Sequence, residues 1–152
     1  MKAVIQRVSH ASVDVDGKTV GSCARGYMIL LGVAEGDTEN DAELLCRKIL
    51  NLRIFPDDAG KMNLSIKDID GEMLLISQFT LLANYRQGNR PDFLASARPD
   101  EANRLYEYFK KLASKELKRV ESGIFGAHMH VSLLNDGPVT IVMDSDTLKK
   151  KK

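Results

Sequence analysis

The chain has 152 residues, and its 22 Lys and Arg nearly cancel its 21 Asp and Glu, leaving a formal net charge of +1. That length predicts one domain whose core needs neither disulfide nor metal to hold it, and near-neutral charge leaves no global field that calls for a polyanionic partner, although a local basic patch can still meet RNA. Tryptophan is absent, and Cys23 and Cys46 stand far apart with no CxxC or zinc spacing, so an indole platform, a disulfide framework and a cysteine-built zinc site are all excluded.

The segment from Met1 to Arg7 has no signal-peptide apolar region, and no apolar run approaches the roughly 18 residues of a membrane span. A soluble, cytoplasmic chain is expected, with no membrane partner. Ala3, Ile5 and Arg7 alternate with Val4, Gln6 and Val8, as in a strand. Val13 and Val15 continue the alternation, Asp16-Gly17 gives a hairpin signal, and Thr19-Val20 begins the return. From Tyr27 to Ala34 the chain is almost continuously apolar, which predicts a strand buried on both faces. Thr38 then reads as an N-cap with Asp41 in an imperfect capping box. Ala42, Leu45, Cys46, Ile49 and Leu50 follow at helical spacing, predicting a helix over 39–50.

Arg53-Ile54-Phe55 reads as a short strand stopped by Pro56. Asp70-Gly71 makes a turn before a buried strand, Met73 to Ile76, that ends in the polar Ser77-Gln78-Phe79-Thr80. Residues 83–99 have turn residues, three arginines (Arg86, Arg90, Arg98) and no period; a loop that long in a small domain is usually functional or disordered, and Tyr85 and Phe93 argue for order. Asp100 reads as the cap of a second helix, with Leu105, Phe109, Leu112 and Ala113 as its buried stripe. Met129 to Leu134 and Val139 to Met143 read as two strands joined at Asp136-Gly137-Pro138 by a hairpin turn. This order predicts a mixed α/β domain over 1–146 with helices covering sheet faces, then an unstructured basic tail over 147–152.

Familiar site types are missing. There is no G-x-S-x-G elbow, P-loop or dinucleotide loop. His128 and His130 share one strand face but have no third ligand beyond His10 in a turn-like region, so no metal is expected; a metal-dependent amidase is the weakest of three readings. Two segments remain. Ser77 to Thr80 is either a strand end satisfying local backbone groups or an oxyanion pocket beside an attacked carbonyl. Asp136-Gly137-Pro138 is either a plain connection or an exposed backbone feature of a site.

Taken together, the motifs resemble the D-aminoacyl-tRNA deacylase family. The likeness rests on Ile5-Gln6-Arg7-Val8, Arg53-Ile54-Phe55, Gly60-Lys61-Met62-Asn63, Ser77-Gln78-Phe79-Thr80-Leu81, Gly88-x-Arg90-Pro91-x-Phe93 and Gly123-x-Phe125-x-Ala127-x-Met129 running into Asn135-Asp136-Gly137-Pro138-Val139-Thr140. The resemblance implies a homodimer with a three-layer β-β-α, barrel-like, largely antiparallel mixed fold. It implies hydrolysis of the ester joining a D-amino acid, or glycine mischarged on the alanine tRNA, to the terminal ribose of tRNA. No cofactor is implied. Ser77, Gln78, Phe79 and Thr80 would form the catalytic segment, and a cis Gly137-Pro138 from the partner subunit would reject L-amino acids. Arg7, Met129 and Asn135 would support these groups, and Arg86, Arg90 and Arg98 would meet the tRNA. A competing reading is a dimeric nucleic-acid-binding module with a vestigial pocket.

Overall fold

In the computed structural model, which describes residues 1–150, strand β1 (Lys2–Val15) organises the sheet. Its first half pairs antiparallel with β3 (Gly26–Gly32), and its second half with β2 (Lys18–Cys23) across the Asp16-Gly17 turn. Strand β6 (Glu72–Ser77) runs parallel to β3, and β7 (Val120–Ser122) runs parallel to β6. The sheet then curls back on itself. Ser22 N donates to Glu121 Oε1 at 2.9 Å and Arg119 Nη2 donates to Ser22 Oγ at 3.1 Å, so β2 and β7 nearly close a barrel.

The apolar runs of β3 and β6 follow from this curl. Tyr27, Ile29, Leu31, Met73 and Leu75 face one core beneath the helices, while Met28, Leu74 and Ile76 face a second core inside the barrel with Val8, Ala11, Val13 and Cys23. A strand that feeds two cores cannot alternate with polar residues. Helix α1 (Glu39–Asn51) buries Ala42, Leu45, Cys46, Ile49 and Leu50 against the first core, as its period predicts. Asp41 Oδ2 accepts from Thr38 N at 3.0 Å and from Thr38 Oγ1 at 3.2 Å, securing its first turn. Helix α2 (Pro99–Ser114) buries Leu105, Tyr106, Phe109 and Ala113. Its cap is Arg98, with Pro99 opening the helix, and Asp100 lies inside the first turn. Proline at the first helical position loses nothing, since that N–H has no helical partner. The expected strand at Arg53–Phe55 is instead the short pair β4 (Phe55–Pro56) and β5 (Met62–Leu64).

The expected pair of closing strands is also corrected. They are one strand, β8 (His130–Asp144), antiparallel to β1 along its length. Gln6 pairs with Thr140 and Val8 with Asn135, so residues 136–139 bulge opposite Arg7 alone and the chain does not reverse. Part of the segment expected as a tail is ordered among the described residues. Ser145–Leu148 form a short 3-10 turn, Ser145 N donates to Met1 O at 2.9 Å, and Lys149 Nζ lies 2.8 Å from Asp41 Oδ1. Lys151 and Lys152 of that tail lie outside the described residues. No helix among the described residues is long and apolar enough to cross a membrane.

Candidate active site

Where β6 runs out at Ser77, the backbone keeps one more ladder bond: Gln78 N donates to Leu31 O at 2.8 Å. The chain then turns into a 3-10 segment, Phe79–Leu82, of which only Leu82 is buried. The segment lies almost on top of β3. A methyl group on Gly32 would sit 2.9 Å from Gln78 O and 2.7 Å from Leu82 Cδ2, so glycine is what permits the approach. In a 3-10 turn the opening N–H groups, here those of Phe79 and Thr80, have no partner inside the turn.

Beside this turn is a mostly apolar cavity of about 500 Å³. Ser77, Gln78 and Phe79 form one side, Pro99, Ala102 and Tyr106 of α2 another, and the Phe125–Met129 segment a third. Tyr106 Oη donates to Leu75 O at 2.9 Å, and burial pushes its phenol up to about 12, so it is a neutral wall of the cavity. Phe125 leans on the same ring, centroids 6.1 Å apart. Thr80 is exposed and outside the lining; its hydroxyl pairs with the Gln78 side-chain amide, a group that cannot take a proton. Thr80 therefore lacks the neighbouring base that an activated nucleophile needs.

The second cluster gathers around the β8 bulge. Arg7 is buried, 8% exposed, rather than a surface strand arginine. Its Nε donates to Asp136 O at 3.1 Å and lies 3.4 Å from the Asp136 carboxylate, while Nη1 donates to Ile54 O at 2.6 Å. Gly137 has φ +120 and a cis bond to Pro138, and a methyl group there would meet Arg7 Nη2 at 2.7 Å. The Asn135 amide sits between the Arg7 and Val139 carbonyls, 3.1 Å from each, and accepts from Thr140 Oγ1 at 3.0 Å. Residues 136–138 are exposed.

Within one chain the two clusters stay apart. Ser77, Gln78, Phe79 and Met129 line the cavity; Gly137, Pro138 and Asn135 do not. Arg86 and Arg90 ride an exposed loop closed by paired backbone bonds between Asn84 and Asp92, 2.8 and 2.9 Å, and Arg98 is exposed beside the cavity at the start of α2. His128 lines the cavity, with its Nε2 3.1 Å from that of His130, while His10 pairs with Leu134 in the ladder. Among the described residues no three His, Cys, Asp or Glu side chains gather as a metal set. Sequence reasoning missed Gly32, Ser96, Ala102 and Tyr106 as site-builders. Gly32 carried a signal, since a glycine inside an apolar strand often marks close backbone approach; the others read as ordinary loop and helix residues.

A family model described as D-Tyr-tRNA(Tyr) deacylase matches residues 4–144. Among curated relatives, a D-aminoacyl-tRNA deacylase of Caldicellulosiruptor saccharolyticus is 56% identical over 145 residues, 95% of this chain and 97% of that one. Another of that name from Dehalococcoides mccartyi is 58% identical over 145 residues, 95% of each. A solved structure described as c-Myc DNA unwinding element binding protein superposes with TM-score 0.90 at 42% identity, covering 95% of this chain and 98% of its own. One described as a probable eukaryotic D-amino acid tRNA deacylase shares the fold, with TM-score 0.79 at 17% identity over 94% of this chain and 98% of its own.

Proposed function

The chain belongs to the D-Tyr-tRNA(Tyr) deacylase family, and we propose that it works with the cavity beside Ser77–Phe79 as the reacting site and the β8 bulge as the guard of a second protomer's cavity. The reaction is hydrolysis of D-aminoacyl-tRNA. Water adds to the ester carbonyl, the bond to the ribose oxygen breaks, and a proton passes to that oxygen, leaving free amino acid and tRNA. An aminoacyl ester is already activated, so the protein has little bond-breaking to assist. The Phe79 and Thr80 N–H groups hold the oxyanion as it forms, and the vicinal ribose hydroxyl helps deliver water. Thr80 makes no covalent intermediate. The apolar cavity, about 500 Å³, is suited to the terminal nucleoside.

The observation that carries this reading is that the strand end Ser77–Phe79, where a 3-10 turn begins with N–H groups unpaired inside it, lines a mostly apolar cavity. Selection follows from main-chain shape. A rigid Gly137-Pro138 wall excludes an L-configured Cβ by overlap whatever the side chain, so no contact reads the amino acid. Glycine has no Cβ and passes, which extends the substrate range to glycyl-tRNA. What supports contribution of that wall by a partner is its exposure, its bracing by Arg7, and its absence from its own chain's cavity. The enzyme then works as a homodimer, in the cytoplasm where aminoacyl-tRNA is used, and Arg86, Arg90 and Arg98 hold the acceptor end.

The deciding assay gives the purified protein D-tyrosyl-tRNA and L-tyrosyl-tRNA in parallel. Release of D-tyrosine alone is expected. Equal release of both would sink the selection mechanism. Tight nucleic-acid binding with no release of either would favour the binding-module reading, which the name of the 42%-identical structure keeps in view. Thr80→Val should keep most of the rate; a trapped acyl adduct on Thr80 would overturn the substrate-assisted route.

A further inference from the structure

The Phe79–Leu82 turn is poorly held by its own bonds. Leu81 N to Gln78 O is 3.3 Å and Ala83 N to Thr80 O is 3.2 Å, both long, and Phe79 is 57% exposed. Yet an electrophilic pocket misplaced by about 1 Å loses on the order of 100-fold in rate. Some other group has to fix the turn from the solvent side. The 84–98 loop supplies it. The Phe93 ring meets the Phe79 ring edge-to-face, centroids 5.0 Å apart at 77°, and Ser96 Oγ adds only a long contact to Phe79 O at 3.4 Å, so the ring pair is the main hold. The loop is itself pinned on both flanks. Glu35 N donates to Ala95 O at 2.9 Å and Ala97 N to Val33 O at 3.0 Å on one side, and the Asn84–Asp92 bridge closes the other, with Asn84 Nδ2 donating to Asp92 Oδ2 at 3.0 Å.

We propose that Phe93, assisted by Ser96, is a positioning residue for the reaction: it locks the Phe79 ring and so aims the Phe79 and Thr80 N–H groups at the ester carbonyl without touching the reacting atoms. The assignment rests on the cavity being the reacting site. Because Arg90 lies three residues before Phe93 on the same loop, the element that meets tRNA phosphates is also the one that steadies the donors.

The test is steady-state kinetics of the full chain on D-tyrosyl-tRNA. Phe93→Ala should lower kcat by about 10-fold, with KM changed by less than about twofold, because the lost interaction acts on the reacting geometry. Ser96→Ala should lower kcat by about threefold in the same manner. A folded Phe93→Ala enzyme with full kcat overturns the proposal, as does a raised KM with kcat retained. If Phe93→Ala does not fold, Phe93→Tyr against Phe93→Leu decides. Tyrosine keeps the ring edge and should turn over at close to the parent rate, while leucine keeps apolar volume but loses the edge and should be slow. Equal rates for the two would overturn the proposal. Inactivity of the parent enzyme on D-tyrosyl-tRNA would instead refute the assigned reaction, so the two failures are distinguishable.

Discussion

Two glycines set the positions of the two clusters, and each does so by what it lacks. Gly32 lets the Phe79–Leu82 turn rest on β3, and Gly137 accepts a positive φ with Arg7 Nη2 lying where a methyl group would go. A Gly32→Ala enzyme must push the Gln78 carbonyl away, since backbone cannot rotate aside as a flexible side chain can. Overpacking of this kind costs about 1–3 kcal/mol. Urea melts should show that loss, and single-turnover rates on D-tyrosyl-tRNA should fall further than the stability change alone predicts, because the displaced atoms adjoin the N–H groups proposed to hold the oxyanion. Unchanged melts and rates would mean that β3 and the turn can separate freely. Gly32's partner could not be named from sequence, and Arg7 was expected beside Gly137-Pro138 only through the family resemblance. The letter shows that a Cβ is missing, while the atom filling its place belongs to a distant segment.

At the level of elements, legibility tracked how local the determining contacts are. Both helices follow from their apolar period and from caps within a few residues; α1 runs one residue past its expected end, and Pro99 displaced Asp100 as the starting signal of α2. The β8 misreading has the opposite cause. Asp136-Gly137 carries a strong short-range hairpin signal, but pairing with β1, more than a hundred residues away, keeps the strand straight and absorbs the surplus as a bulge. The polar segment Ser77–Thr80 and the ordered 83–99 loop were both legible as unusual, whereas the Phe79–Phe93 contact between them was not, because an edge-to-face contact leaves no sequence period. The start of α1 and the end of the chain are joined at Asp41. Burial alone would raise its carboxyl, but the Lys149 ammonium, the Ser145 hydroxyl at 2.6 Å and the Thr38 N–H hold it well below the usual carboxylate range. A depressed folded value means stability that is present above about pH 4 and lost as pH falls through the folded value. Asp41→Asn should cost on the order of 2 kcal/mol at neutral pH and flatten the acid limb of the stability profile. An acid limb identical to the parent's would remove Asp41 from that role.

For the whole molecule, two cores share one sheet, and each holds one thiol: Cys46 beneath the helices and Cys23 inside the barrel. Burial pushes Cys46 up to about 12 and Cys23 up to about 11. Raised folded values mean that this stability is complete below the unfolded thiol range and lost as pH climbs from about 9 toward those values. Iodoacetamide at pH 8 should therefore label neither thiol in the native protein, and in urea both should label at one midpoint if the shared sheet makes the cores melt together. Labelling of Cys23 ahead of Cys46 would show the barrel opening alone. Surface charge acts separately from both cores. Arg90→Ala should weaken tRNA binding and reduce the slope of log affinity against log salt by about 1, the signature of one lost phosphate contact; an unchanged slope would place Arg90 away from the backbone. Among the described residues, strand β8 pairs only with β1, and its other margin takes no ladder partner. Such a margin invites foreign strands to stack on it, yet here the extra residues at 136–139 put a step in the middle, so a straight newcomer can align with one half or the other but not both. The same bulge that presents Gly137-Pro138 thereby breaks up an edge that would otherwise run straight for fifteen residues.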